Sequence, residues 1–132
     1  MMSKWEELGI EDKLITILRH AEGHPEDHHF GPLFLTAYQL AIAFAQLYPD
    51  EFQSLGFEDV GGKGIGKRSS LAQYLAKQLS TRIHDGSIQN VEGRFLSNQF
   101  LEQISFNSRD EVIVSSLTET QFPLSMFRLM IE

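Results

Sequence analysis

Residues 70–84 read SLAQYLAKQLSTRIH. Leu71, Leu75, Leu79 and Ile83 recur every four residues, a spacing that gathers them on one side of a helix. Ser70 and Gln73 have the spacing of a capping box, in which hydroxyl and amide each satisfy the other's backbone N–H. Gly86 follows, and glycine adopts the left-handed conformation that ends helices without a Cβ clash. The stretch therefore predicts a helix over 71–84 with a buried seam. Gln73, Lys77 and Thr81 lie on the opposite side, with Tyr74, Gln78 and Arg82 flanking.

Towards the N-terminus, Thr36 and Gln39 make a second capping box. The helix it opens, 37–48, is apolar on nearly every face through Leu40, Ile42, Phe44 and Leu47, so it is expected at the centre of the core. Pro49 ends it and starts a further helical turn closed by Gly56. A first helix is predicted over 11–22, where Leu14, Ile15, Ile17, Leu18 and Ala21 form the apolar stripe and Gly23 the stop. Leu33, Phe34 and Leu35 read as one brief strand.

Towards the C-terminus the pattern changes. Ser97 to Gln103 is read as a short helix. Ile104 and Phe106, then 107–110, then Val112 and Val114 read as a hairpin, because alternation and β-branching favour strands and the Asn/Ser/Asp cluster favours a turn. Phe122 to Ile131 reads as a final strand with Pro123 at its start or on an edge. The expected class is α+β, a three-helix N-terminal core followed by a small antiparallel sheet. One domain over 1–132 is expected, with a helical part at 11–86 and a β-rich part at 95–132.

Composition narrows the functions. The 132 residues include no cysteine, which excludes disulfides, thiolate metal sites and a cysteine nucleophile together. The N-terminus has no apolar stretch after its single lysine, and no run approaches the roughly 20 apolar residues of a membrane span, so a cytoplasmic location is expected. Net charge is −7, which argues against a non-specific nucleic-acid coat. Its distribution is uneven. Residues 1–60 carry 3 Lys/Arg against 11 Asp/Glu, residues 61–94 carry 6 against 2, and residues 95–132 carry 2 against 5. A basic middle thus lies between acidic flanks, and it contains the 71–84 helix.

Three constellations invite chemistry. Gly61 to Arg68 nearly matches a phosphate-binding loop, with Gly61, Gly66 and Lys67 in place. Arg68 stands where a hydroxyl should hold magnesium, and no apolar strand ending in Asp follows, so a flexible basic loop is the better reading. His24, His28 and His29 beside Glu26 and Asp27 are weak candidates for a metal, since Gly23 and Pro25 break the helix that would align them. No serine has a nucleophile-elbow context, and the paired acids sit at expected turns or helix starts. A non-enzymatic chain without a cofactor is therefore expected, with a metal- or phosphate-dependent enzyme as a minor alternative.

The third helix with its basic neighbours is the strongest constellation. Lys63, Lys67 and Arg68 precede it and suit phosphates, while Gln73, Lys77, Gln78, Thr81 and Arg82 suit base edges or phosphates. The order of helix, short strand, helix, helix and hairpin resembles the winged-helix superfamily. The resemblance spans residues 11–22, 33–35, 37–48, 71–84 and 104–117, and rests on element order alone. It implies that 71–84 is a recognition helix, that 107–110 is the tip of a wing, and that the protein binds DNA, with a homodimer expected. The long 48–70 connection, the acids Asp110 and Glu111 beside Arg109, and the extra 118–132 depart from that pattern. The alternative is a protein adaptor. Its docking edge would be the C-terminal strand, through Phe122, Met126, Phe127, Leu129 and Met130.

Overall fold

Both capping boxes form, and each launches a helix that lines the core. A computed structural model describes residues 2–21, 29–61, 70–109, 111–116 and 124–130. The elements are α1 (Lys4–Glu7), α2 (Ile10–Arg19), β1 (Leu35–Thr36), α3 (Ala37–Leu47), α4 (Pro49–Leu55), α5 (Leu71–His84), β2 (Val91–Leu96), β3 (Gln103–Ser108), β4 (Glu111–Ser116) and β5 (Leu124–Leu129). The class is α+β.

At α3 the Gln39 N–H donates to the Thr36 hydroxyl at 3.2 Å, and the Thr36 N–H to the Gln39 side-chain oxygen at 2.7 Å. At α5 the Gln73 N–H donates to Ser70 Oγ at 3.2 Å and the Ser70 N–H to Gln73 Oε1 at 3.3 Å. The leucine seam of α5 meets Leu40, Ala41 and Phe44 of α3 and Ile10 and Leu14 of α2 in one buried cluster. Burying that many aliphatic side chains, at about 1.5–3 kcal/mol each, supplies the main driving force for the helical layer. Leu47, expected inside, is exposed at the end of α3.

The N-terminal helices differ from the expectation in two ways. The first predicted helix ends at Arg19 rather than Glu22. The His20 and Ala21 N–H groups bond to the carbonyls of Ile17 and Leu18, three residues back, which tightens the last turn and closes the helix early. A one-turn helix, α1, precedes it. Ser3 caps α1 by accepting from the Glu6 N–H, and the turn buries Trp5 to 3% exposure. Gly9, in the left-handed conformation at φ 60, makes the corner between α1 and α2.

The sheet is where the sequence reading changes most. Its strand order is β1-β5-β2, all antiparallel, while β3 and β4 form a separate two-stranded hairpin. The C-terminal strand is therefore central. Phe127 lies opposite Leu35 of β1 on one side and Gly93 of β2 on the other. Among the described residues the expected sticky edge is mostly covered: Phe127 is 2% exposed and Met126 and Leu129 are half-buried, while Met130 just past the strand is exposed. Phe122 and Pro123 lie outside the described residues. Of the two edge strands, β1 and β2, the second was not expected at all. Its Gly93 and two charged residues hide the alternation, and it works because the Phe127 ring fills the space a side chain would take: a Cβ on Gly93 would sit 3.2 Å from Phe127 Cε1.

Ser97 to Gln103 is not a helix. Gln103 opens β3, and Phe100 has a left-handed φ of 65 that breaks any helical run. A seven-residue helix needs tertiary packing to survive, and Phe100 is 96% exposed. The hairpin expected around 107–110 does form, with Ser108 opposite Glu111 and Arg109 at φ 54 in its tight turn; Asp110 lies outside the described residues. The hairpin touches α3 through Phe106, whose ring stacks on Tyr38 at 5.2 Å and 10°. Gly61 approaches the same tyrosine so closely that a Cβ would lie 2.8 Å from its ring.

Candidate nucleic-acid interface

The seam that buries Leu71, Leu75 and Leu79 dictates what α5 turns outward. Gln73, Lys77, Ser80, Thr81 and His84 are exposed. Their spacing follows the helical period, so they share one face. No carboxylate occurs between Leu71 and His84. Among the described residues Lys77 has no hydrogen-bond or ion-pair partner. A lysine with no partner among the described residues keeps its three N–H donors for another molecule. Ser80 and His84 were not among the expected site residues, although the helical period places them beside Lys77.

Three expected site residues are engaged within the chain. Arg82 lies over the Trp5 ring at 4.8 Å and donates through Nε to Gln78 Oε1 at 3.2 Å. Both are half-buried; Arg82 ties α5 to Trp5 of α1, and Gln78 holds the guanidinium from the preceding turn. Gln73 is exposed, but its side-chain oxygen serves the helix cap. Lys63, Lys67, Arg68, His24 and His28 lie outside the described residues. His29 packs edge-on against Phe30 at 4.7 Å. No group of three or more potential metal ligands is found among the described residues.

The start of α5 is closed to an anion. The N–H groups of Leu71 and Ala72 donate to the carbonyls of Asp59 and Val60 at 3.1 and 2.8 Å, and that of Gln73 to Ser70. A phosphate-cradling loop needs these first-turn donors unoccupied. The chain that enters α5 uses them instead to pin 59–60 to the helix.

No protein-family model, curated protein or solved structure matches this chain.

The flank of α5 has its own electrostatics. The Tyr74 hydroxyl is held above its ordinary value of 10.0 by burial, which outweighs the opposing pull of the Arg82 charge. The ring contacts Phe57 at 5.3 Å and Trp5 at 6.4 Å. At the other end, Asp85 is held below its ordinary value. The largest cause is the Ser87 hydroxyl, at 2.5 Å, followed by the Ser87 N–H, with Arg82 and His84 adding a smaller pull. This turn closes the helix and leads into β2.

The raised Tyr74 value has a measurable consequence. A phenol that ionises less readily when folded contributes stability that is complete below pH 10.0 and is lost as pH rises through the folded value. Denaturation midpoints should therefore fall in alkaline solution, and Tyr74→Phe should remove part of that fall. An identical alkaline decline in the variant would assign the effect to other groups.

Proposed function

We propose that this chain is a non-enzymatic macromolecule-binding module that docks the exposed face of α5 against duplex DNA. The observation that carries the reading is Lys77, unpartnered among the described residues, on an exposed helix face that holds Gln73, Ser80 and Thr81 and no carboxylate. Lysine at such a position suits a phosphate, and hydroxyls or amides beside it suit base edges. The reading retains the winged-helix resemblance with changed strand roles. β2 and β5 would be the strands behind the recognition helix, and the 97–123 connection with its β3–β4 hairpin would take the place of the wing. The basic residues Lys63, Lys67 and Arg68 would add phosphate contacts, Gln78 and Arg82 would support the helix from its flank, and the compartment would be the cytoplasm.

A second reading, a protein adaptor, draws on the −7 net charge and on exposed apolar side chains. Phe95 is 69% exposed, and Leu96 and Val112 are also exposed. Its docking surface would lie there rather than on the paired C-terminal strand.

Fluorescence anisotropy with mixed-sequence duplex DNA separates the two. A protein making several phosphate contacts binds at low salt and weakens by about three orders of magnitude or more between 50 and 200 mM. The absence of binding at the lower salt would exclude a DNA-docking helix and leave the adaptor.

A further inference from the structure

Among the described residues the β2 strand has one open edge, and its sequence is complementary to itself. Among the described residues β2 pairs with β5 alone. Val91 lies opposite Leu129, so Asn90 faces Met130, and the Met130 N–H donates to the Asn90 carbonyl at 2.9 Å. Hydrogen-bonded pairs alternate along an antiparallel ladder. Glu92, Arg94 and Leu96 therefore direct their backbone groups at β5, whereas Val91, Gly93 and Phe95 direct theirs outward. The Arg94 guanidinium donates to the Gly93 carbonyl at 2.8 Å, as an outward carbonyl permits. Arg94, Phe95 and Leu96 are exposed along this edge.

We propose that two copies of this chain pair their β2 strands antiparallel about a two-fold axis at Gly93. In that register Gly93 faces the partner's Gly93 and Val91 faces the partner's Phe95. All of these residues point their N–H and C=O groups outward, so the ladder closes without moving either backbone once the Arg94 guanidinium turns from the Gly93 carbonyl to the partner's Glu92. Glu92 then falls opposite the partner's Arg94, and Arg94 opposite the partner's Glu92. These are the non-hydrogen-bonded pairs of the ladder, where side chains approach most closely. Within one copy the same two residues already form an ion pair at 3.1 Å, so the charges are in place on one face of the strand. A register with Glu92 facing Glu92 would oppose like charges, which is why the axis is assigned to Gly93. Phe95, on the same face as the buried Val91, is covered by the pairing. A two-fold of this kind makes one six-stranded sheet and removes an edge that is otherwise open to pairing with other chains. This inference does not depend on the DNA reading.

Sedimentation velocity on the full chain without DNA, over a concentration series, tests it. The parent should shift from monomer to dimer as concentration rises. Amide exchange at Gly93 and Phe95 should slow over the same range, while exchange in β5 stays unchanged. Arg94→Glu sets two pairs of like charges opposite each other and should weaken the dimer by about tenfold or more. Phe95→Pro deletes an outward N–H without touching the β5 ladder and should abolish it. Circular dichroism checks that both variants fold. A parent that stays monomeric at every concentration overturns the proposal. So does a dimer that survives Phe95→Pro in folded protein, or one that forms without slowing exchange at Gly93.

Discussion

Truncating Phe127 to alanine is expected to remove about 3–5 kcal/mol of folding stability. The ring is 2% exposed in the middle strand of the sheet and belongs to the cluster that includes Val91 and the leucines of α5. It also rests on Gly93, where a Cβ would meet Cε1 and Cδ1 at 3.2 and 3.3 Å. Removing it leaves a void beside a residue with no side chain to relax into the space, so the loss should lie towards the upper end. A domain of this size has about 5–15 kcal/mol in total. The variant should thus unfold at much lower denaturant concentration. The pairing with Gly93 adds a sharper test. Gly93→Ala should cost stability in the parent, where the ring must yield, and cost less in the Phe127→Ala background, where the space is open. Additive losses, or a Phe127→Ala loss under about 1 kcal/mol, would show that ring and glycine are not packed together.

Reversing the charge at Lys77 should leave the fold intact and weaken DNA binding on the order of 10–100-fold at low salt. The side chain is exposed and unpartnered among the described residues, so Lys77→Glu should change stability by no more than about 0.5 kcal/mol. The slope of affinity against salt should also fall by roughly one counterion or more. Arg82→Gln is the contrasting variant. It deletes the cation–π contact with Trp5 and alters the bond to Gln78, so it should cost stability, about 1–2 kcal/mol, with a smaller effect on DNA. If Lys77→Glu binds like the parent, the α5 face is not the docking surface. If Arg82→Gln loses affinity as steeply as Lys77→Glu while remaining as stable as the parent, the two arginine contacts are not what holds Arg82.

Part of the candidate site was legible because a helix repeats. Once Leu71, Leu75 and Leu79 are assigned inward, Lys77 and Thr81 must point outward, and no long-range information is needed. The engagement of Arg82 was not legible. Its partner Trp5 lies far away in sequence, on a one-turn helix too short to announce itself.

The fold divides along the same line. The capping boxes at Thr36 and Ser70, the leucine seam, the glycine stop at Gly56 and the hairpin across Arg109 rest on groups within a few residues of one another, so sequence alone determined them. Tertiary structure alone decided that β5 is central, that β2 is a strand, and that Ser97 to Gln103 is not a helix. A strand takes its hydrogen bonds from a partner located anywhere in the chain, and only that partner tells whether an apolar strand is an edge or a centre. Gly93 illustrates the reason: read alone it weakens a strand, and read beside Phe127 it is the space into which the aromatic ring fits.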